Sequence, residues 1–347
     1  MNYLKALSEL DGPAGFERKV SDYVLEHFRD SGNLDECGRD RLGNVFGIKK
    51  GRSDKRLMIA AHMDEVGFII NYVDSNGFMK FELLGGIVNN VIPNSRVRII
   101  GTKGTVTGVI GVNPPHVAGK DKITYKDLFI DTGLDRDGLE KNGIGIGSYA
   151  VFDTDFQTTD NVFIGKAFDD RVGVAVLLHI AAKLKEKTDY TIVLCATVQE
   201  EVGMRGGAMA GRNMKPDIAL IFEGTYALDT LGNPPDVWTS YFGKGPAMTI
   251  MDRTMIADRY YLDVVEKYLK KGRIKYQYKQ PRNAGGTDAG KIHLEREGVP
   301  CCVLAAPCRY IHSAYTMLNR EDYDNMKKAG LYLCRNLKHK EIDNIYK

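Results

Sequence analysis

The pattern of apolar residues divides this chain into two kinds of sequence. Before residue 66 and after residue 162, unbroken apolar runs of strand length, such as LMIAA ending at Ala61, alternate with stretches of helical period. Residues 66–162 instead contain short β-prone pieces separated by Gly, Asn and Pro. Alternating strands and helices predict an α/β fold with a mixed, largely parallel sheet and helices on both faces. A run of short strands with turn residues between them predicts an all-β module.

The two patterns predict a division into domains. The simplest architecture is one α/β domain built from residues 1–65 and 163–347, interrupted by a β-rich inserted domain at residues 66–162. A chain of 347 residues is long enough for two domains of roughly 150 residues each. The helical pattern is clearest over residues 170–185, 258–271 and 321–336.

Composition excludes several classes of partner. The chain has 48 Lys plus Arg against 45 Asp plus Glu, and this balance favours neither nucleic acid nor an anionic membrane surface. No apolar run reaches the ~20 residues of a membrane-spanning helix, and the first residues lack the layout of a secretory signal. The six cysteines form no CxxC pair, which favours buried free thiols. These features predict a cytoplasmic protein without nucleic-acid or membrane partners.

Acidic and imidazole side chains cluster at the ends of the predicted strands. A pair of acids, Asp169 and Asp170, also precedes the helix that begins near residue 170. The residues that follow predicted strands are His62, Asp64, Glu200, Glu201, Glu223 and His312. In open α/β sheets, ligands bind where the carboxyl ends of the strands meet. We therefore expect two imidazoles and several carboxylates at one edge of one sheet.

Such a set of side chains is suited to a metal site. Imidazole and carboxylate ligands together suit Zn²⁺, Co²⁺ or Mn²⁺, and thiolates are not required. The H-x-D spacing lets Asp64 hold the ring of His62 in place. The neighbours Glu200 and Glu201 point in different directions, so one can bind metal while the other acts as a general base. Each motif also has an ordinary alternative, because H-x-D triplets are common and paired acids often begin exposed helices.

Five strings along the chain carry a resemblance to a known family. The strings are AHMDEVG at 61–67, GKAFDDRVG at 165–173, QEEVGMRGG at 199–207, GGTDAG at 285–290 and RYIHS at 309–313. They span nearly the whole chain in the right order. Together they resemble the M42 family of metallo-aminopeptidases, which includes the glutamyl aminopeptidases and the tetrahedral TET peptidases.

The resemblance implies a site with two metal ions. Asp169 matches the carboxylate that bridges both metals. Glu201 and His312 match the other ligands of one metal, and His62 with Glu223 match those of the second. Family members usually carry Asp where this chain has Glu223, so the extra methylene is expected to alter metal spacing or preference. The implied cofactors are two divalent cations per subunit, with Zn²⁺ first and Co²⁺ or Mn²⁺ as alternatives.

The resemblance also implies roles for the remaining site residues and for the insert. Glu200 matches the general base that activates water, and Asp64 matches the acid that orients His62. The β-rich insert matches a dimerisation domain, and in the family such dimers assemble into a tetrahedral dodecamer. The implied function is a binuclear metal-dependent aminopeptidase that removes N-terminal residues from short peptides.

Two other functions stay open at this point. Proteins that resemble this family are sometimes labelled endoglucanases, and Asp64 with Glu200 could serve as the acid and base of a glycoside hydrolase. The single tryptophan, Trp238, argues against this function, because sugar-binding clefts usually present aromatic platforms. The second alternative is a non-catalytic assembly subunit with a degenerate site, and Glu223 is the residue that suggests it.

Overall fold

The computed structural model describes residues 3–113 and 123–345. The described α-helices are α1 (Tyr3–Glu9), α2 (Arg18–Asp30), α3 (Arg136–Lys141), α4 (Phe168–Lys183), α5 (Arg205–Met214), α6 (Arg259–Lys271), α7 (Ala289–Ile292), α8 (Arg320–Asn336) and α9 (His339–Asp343). The described strands are β1 (Glu36–Arg39), β2 (Val45–Lys49), β3 (Arg56–His62), β4 (Gly67–Val73), β5 (Met79–Leu84), β6 (Arg96–Ile100), β7 (Thr105–Gly111), β8 (Phe129–Asp131), β9 (Tyr149–Phe152), β10 (Gln157–Thr158), β11 (Val162–Gly165), β12 (Thr191–Thr197), β13 (Ile218–Tyr226), β14 (Ala247–Thr249), β15 (Gln277–Lys279), β16 (Cys301–Arg309) and β17 (Thr316–Asn319).

A mixed sheet forms the centre of the α/β part. Its strand order is β1-β2-β12-β3-β13-β16-β17-β11-β10, and β14 and β15 join it beside β16. The neighbours β12, β3, β13 and β16 are parallel, as are β14 and β15. The flanking pairs are antiparallel, so the prediction of a mixed sheet is confirmed, whereas its description as largely parallel holds only for the central strands. Short loops from β1 to β2, from β10 to β11 and from β16 to β17 explain part of this difference, because a parallel pair needs a long crossover.

Burial along the central strands shows that both faces of the sheet are covered. Strand β13 is buried from Ile218 to Thr225, and β16 is buried from Cys301 to Cys308. Successive side chains of a strand point to opposite faces, so unbroken burial requires cover on both sides. Helix α4 contacts β3, β12 and β13 and packs with α1, α2 and α8, whereas α5 and α7 form a second group against the central strands.

The chain between β3 and β10 forms a separate closed barrel with strand order β4-β5-β8-β7-β6-β9. The barrel has its own apolar core, in which Phe68 makes edge-on ring contacts with Phe81 and Phe152. The prediction of short strands here is confirmed, but an all-β module is wrong because α3 lies in the same stretch. Asp135 begins α3 by accepting a hydrogen bond from the Gly138 N–H at 2.8 Å, as N-terminal capping residues do. The domain limits at residues 66 and 162 stay a prediction.

Buried charges join the barrel to the α/β part. Lys166 is 1% exposed, and its Nζ lies 2.7 Å from both carboxylate oxygens of Glu65. Asp11 lies 3.3 Å from the same Nζ and pairs at 2.6 Å with Arg98 of barrel strand β6. Arg171 of α4 also reaches Glu65, at 3.3 Å. Among these contacts, the Asp11–Arg98 pair reaches a barrel strand, so it ties the barrel to the buried charges of the α/β part.

Two smaller predictions concern membranes and thiols. Within residues 3–113 and 123–345, every helix is too short or too polar to cross a membrane. All six cysteines are free; Cys37 is partly exposed and the others are buried. The prediction of free thiols is therefore confirmed.

Candidate metal centre

The ends of the parallel strands bring predicted site residues to one edge of the sheet. His62 is the last residue of β3, in register with Thr197 at the end of β12. Glu223 lies in β13, the strand on the other side of β3. Asp169 lies at the start of α4, and the loop after β16 carries His312. These positions meet above the sheet because neighbouring parallel strands end together.

A first group of side chains surrounds the ring nitrogen Nε2 of His62. This atom lies 3.2 Å from Asp169 Oδ1 and 3.1 Å from Glu223 Oε1. The side chains of His62 and Glu223 are 2% and 6% exposed, so the group is almost closed to solvent. Glu223 is longer than the aspartate expected at its position, and its carboxylate still lies within contact distance of the His62 ring.

A second group surrounds the ring nitrogen Nε2 of His312. This atom lies 3.2 Å from Asp169 Oδ2 and 3.3 Å from Glu201 Oε1. Asp169 thus turns one carboxylate oxygen toward each imidazole and lies between the two groups. The bridging role that the family resemblance implies for Asp169 stays a prediction.

Carbonyl oxygens hold the far nitrogens of both rings. His62 Nδ1 lies 3.1 Å from the carbonyl oxygen of Asp64, and His312 Nδ1 lies 2.8 Å from the carbonyl oxygen of Gly86. Because a carbonyl oxygen can only accept, each Nδ1 carries the proton and donates it. Each Nε2 faces the carboxylates and is the nitrogen from which a bound cation would displace the proton, because a metal ligand needs its lone pair there.

The carboxylate of Asp64 positions the two glutamates that follow β12. Asp64 is fully buried, and its two oxygens accept the backbone N–H groups of Glu200 and Glu201 at 2.9 and 3.0 Å. Its Oδ1 lies 3.4 Å from His62 Nδ1, so the ring is held more closely by the Asp64 carbonyl than by its carboxylate. In the described part of the chain, no hydrogen bond engages the Glu200 carboxylate, which lines the cavity described below.

The donor atoms fit two divalent cations. Ligands of a tetrahedral zinc ion at roughly 2.0–2.1 Å lie about 3.3 Å from one another, and the four contacts to the two Nε2 atoms measure 3.1 to 3.3 Å. Glu201 Oε1 is buried and accepts no hydrogen bond among the described residues, as expected of an oxygen reserved for a cation. Imidazole and carboxylate donors are also the set that zinc, cobalt and manganese accept.

The electrostatics of the site also favour cations. Burial raises the pKa of Glu223 well above its usual range and that of Glu201 to about 7. Burial disfavours the charged form of the His312 ring, but the negative charges of Glu201 and Asp169 have the larger effect and raise the pKa of His312 to about 10. Burial likewise opposes the charged form of His62, and the facing carboxylates of Glu223 and Asp169 still raise its pKa well above its ordinary value. The cluster therefore holds protons tightly, because too many buried carboxylates share too little positive charge.

Asp170 is tied to the backbone beside the cluster, although its sequence position made it a candidate acid. It follows Asp169 through a cis peptide bond, and it is fully buried. Its Oδ2 accepts the His62 N–H at 3.1 Å, and its Oδ1 accepts the Gly173 N–H at 2.9 Å. A carboxylate oxygen of Asp170 also lies within 4.8 Å of donor atoms of His62 and Glu223. Because both oxygens already accept hydrogen bonds, we assign Asp170 to holding the end of β3 rather than to the ligand set.

Two further contacts were not anticipated from the sequence. A Cβ on Gly224 would lie 2.9 Å from the Cβ of Asp169, so only glycine allows β13 to approach so closely. Asp288, in the GGTDAG string, is 1% exposed and accepts a hydrogen bond from the Thr197 hydroxyl. Burial raises the pKa of Asp288 to about 6. The string drew attention only through the resemblance, and nothing local to it indicates a partner at the end of β12.

A cavity of about 600 Å³ opens onto both groups. Glu200, Glu201, Glu223, Asp169 and His312 all line it. Another cavity, of about 690 Å³, lies at the opposite ends of the strands, where the first residues of β13 and β16 line it. Ligands of α/β sheets bind at the carboxyl ends, so the cavity above the cluster is the candidate active site.

Comparison with known proteins identifies the family. The model of the family described as M42 glutamyl aminopeptidase matches residues 43–329. The chain belongs to the M42 family. The lysyl aminopeptidase of Pyrococcus furiosus is 32% identical over 343 residues, which cover 96% of each chain.

Several solved structures share the architecture of this chain over nearly its whole length. A TET aminopeptidase from a marine sediment archaeon of the Thaumarchaeota superposes with a TM-score of 0.95 at 35% identity and covers 99% of this chain and 98% of its own. A TET peptidase of Pyrococcus horikoshii, described as able to assemble into a tetrahedron or a large octahedral shell, gives 0.86 at 26% identity, with 96% and 99% covered. A protein of Thermotoga maritima described as an endoglucanase gives 0.81 at 30% identity, with 99% of both chains covered.

Proposed function

We propose that this chain is a binuclear metal-dependent aminopeptidase that acts on short peptides. The observation that carries the proposal is Asp169, whose two carboxylate oxygens each lie 3.2 Å from an imidazole, one of His62 and one of His312. Glu223 and Glu201 complete the two groups. The proposed ligands are therefore these five side chains, holding two divalent cations, with Zn²⁺ preferred over Co²⁺ or Mn²⁺. Aminopeptidase is also the activity named for the M42 family and for its relative in Pyrococcus furiosus.

The proposed chemistry assigns the proton transfers to Glu200. The cations, when bound, would polarise the scissile carbonyl and lower the pKa of the attacking water. Glu200 lines the cavity with an unengaged carboxylate, so it is the group available to accept the proton of that water and return it to the leaving amine. Burial raises the pKa of Glu200 well above its usual range, which suits a group that must first hold a proton and then release it. Asp64 supports this role by fixing the backbone at Glu200 and Glu201.

We also propose how the chain is divided and assembled. Residues 1–65 and 163–347 form the catalytic domain, and residues 66–162 form a dimerisation domain whose dimers build a tetrahedral dodecamer. The assemblies described for the Pyrococcus horikoshii relative support this, as do the barrel residues Tyr72 and Val109, which are 55% and 46% exposed. Light scattering should then report about 460 kDa for twelve chains of 38.7 kDa. A cytoplasmic location accords with the free thiols, which persist in a reducing compartment.

The two alternatives are less well supported. A glycoside hydrolase would need Asp64 as acid or base, but that carboxylate is fully buried and both its oxygens accept backbone hydrogen bonds. Two solved relatives favour that function by their descriptions, the endoglucanase of Thermotoga maritima and a protein described as a peptidase/endoglucanase. A degenerate assembly subunit would lack a ligand, but Glu223 reaches His62 at 3.1 Å.

The test combines chelation with a change of the proposed base. Activity on aminoacyl p-nitroanilides should disappear after EDTA and return with Zn²⁺, Co²⁺ or Mn²⁺. Glu200→Gln should keep the bound metal while kcat falls by roughly 10²–10⁴-fold, and the exposed Glu140→Gln serves as the matched control. Activity that survives complete metal removal, or cleavage of cellulose with no peptidase activity, would reject the proposal. A Glu200→Gln variant within a few-fold of the parent would remove Glu200 from the mechanism.

A further inference from the structure

A cavity of about 580 Å³ lies between α4, α8 and the edge of the sheet at β10 and β11. Helix α4 contributes His179 and Lys183 from its last turns, and α8 contributes residues of its first two turns. Asp169 lies at the other end of α4, roughly 15–20 Å away along the helix axis. No described residue lines both this cavity and the one above the candidate metal centre. The cavity is therefore a separate candidate site.

The charge around this cavity is unbalanced. Three cations line it, Lys183, Arg320 and Lys327, against one acid, Asp324. That acid is already engaged, because it pairs with Lys327 at 2.8 Å. Within residues 3–113 and 123–345, the side chains of Lys183 and Arg320 make neither a hydrogen bond nor an ion pair. Two positive charges therefore line the cavity without a counterion in the described chain.

Aromatic rings hold two of the cations in place. The guanidinium of Arg320 lies 5.1 Å from the centre of the Phe163 ring, and the ammonium of Lys327 lies 4.4 Å from the centre of the Tyr323 ring. Both rings are buried, so they are fixed platforms. A cation over a ring face needs no hydrogen-bond acceptor, so the N–H donors of Arg320 stay available. The cations are thus positioned in advance, which lowers the cost of binding an anion.

The half-buried ring of His179 lies in the same positive field. In the described chain its nitrogens make no hydrogen bond. Burial, followed by the positive charges of Lys327, Lys183 and Arg335, lowers its pKa to about 4. Asp324 acts in the opposite direction. The ring is therefore neutral at pH 7, and an anion placed among the cations would favour its charged form.

We propose that this cavity binds a small phosphorylated compound, with its phosphate among Lys183, Arg320 and Lys327 and its organic part against Tyr3. A phosphate monoester carries about 1.5 to 2 negative charges and three acceptor oxygens at pH 7, whereas a carboxylate carries one charge. It therefore matches two cations without counterions better than a carboxylate does. The volume is that of a site for an organic molecule rather than for a single ion.

The phosphate has two sources, which differ in the organic part. A nucleotide would place its base against the ring of Tyr3, which lines the cavity, whereas a sugar phosphate offers no aromatic face. Either source would occupy a site that the proposed peptidase chemistry does not use. The inference therefore stands independently of the proposed function.

The test measures binding to the metal-loaded full chain by isothermal titration calorimetry. The probes are AMP, glucose 6-phosphate, inorganic phosphate and adenosine. At least one of the two organic phosphates should bind with a Kd below about 1 mM, and more tightly than inorganic phosphate or adenosine. Lys183→Met and Lys327→Met should each weaken its binding by about 10- to 100-fold. The control is Lys328→Met, which removes an exposed lysine of α8 that does not line the cavity, and it should bind as the parent does.

Proton uptake gives a second readout of where the phosphate lies. At about pH 5.5 the parent should take up more protons per bound ligand than His179→Gln, because the anion raises the pKa of that ring. The uptake is measured from the dependence of the binding heat on the ionisation enthalpy of the buffer. Equal uptake by both proteins would place the phosphate away from His179 and reject the site.

The remaining outcomes identify the ligand or overturn the inference. Tighter binding of AMP than of glucose 6-phosphate assigns the site to nucleotides, and the reverse order or equal affinity assigns it to phosphorylated compounds without a base. Inorganic phosphate that binds as tightly as both would mark an adventitious ion only and overturn the inference. No binding of any probe, adenosine binding as tight as AMP, or affinities that Lys183→Met and Lys327→Met leave unchanged would also overturn it. The last result would place the ligand elsewhere, for example on the metals.

Discussion

We expect Gly224→Ala to disturb the metal centre without changing any ligand. A Cβ at this position would lie 2.9 Å from Asp169 Cβ and 3.0 Å from its Cα and Cγ. Carbon atoms in ordinary contact are about 3.5 Å apart or more, so Asp169 must move by roughly half an ångström. A change of rotamer cannot relieve this overlap, because the Cα of Asp169 is one of the atoms in contact. Overpacking of this kind destabilises by about 1–3 kcal/mol.

The functional effect of Gly224→Ala should exceed its effect on stability. Active-site groups need positions held to about half an ångström, so a displaced Asp169 should lower kcat by about 10- to 100-fold. Elemental analysis should find fewer than two ions per chain, and thermal unfolding should still be cooperative. Gly145→Ala is the control, because nothing lies within 4 Å of a Cβ built there. Full metal content with activity within twofold of the parent would refute the view that this close approach positions Asp169.

Two further predictions concern buried charge and are measured as urea unfolding in EDTA. Asp322 is fully buried, and burial raises the pKa of this carboxyl to about 6. The folded state then binds a proton more tightly than the unfolded state, so the free energy of unfolding falls as pH rises from about 4 to about 6. Between pH 4.5 and 7, Asp322→Asn should reduce this fall by about 2 kcal/mol. A pH profile of stability that is unchanged in the variant would contradict this prediction. Lys166→Met should destabilise by up to about 3–5 kcal/mol, because it removes the nearest cation of the buried Glu65 and leaves only the longer contact to Arg171. Lys50→Met, at an exposed pair, should change the free energy of unfolding by less than about 1 kcal/mol. Similar values for both variants would show that the buried pair contributes no more than the exposed one.

The position of the site was predictable because its residues end apolar runs. A strand that is buried on both faces reads as an unbroken apolar string, so the first polar residue after it marks the carboxyl edge of the sheet. His62 follows LMIAA and Glu223 follows DIALIF in this way. The same signal does not reveal pairing direction, so a mixed sheet could be predicted but the number of antiparallel pairs in its flanks could not, because short strands can join either kind of edge. Helix α3 was missed because six residues are too few to show a helical period.

Other parts of the site have no signature in the sequence. His312 is oriented by the carbonyl of Gly86, 226 residues away, and a backbone carbonyl looks the same at every position. Asp288 and Thr197 meet only because β12 and the GGTDAG string are brought together by the fold.

The hydrogen bond between His312 and Gly86 connects the barrel to the candidate metal centre. One ring nitrogen of His312 is held by a loop of the barrel part, while the other faces carboxylates of the α/β part. Cation binding at that ring and correct seating of the barrel must then favour each other by the same free energy, because coupling between two equilibria is reciprocal. A subunit whose barrel is displaced would hold its cation more weakly, and a subunit stripped of cation would hold its barrel more loosely. If the barrel forms the proposed dimer contact, assembly and cation binding are coupled through this one hydrogen bond.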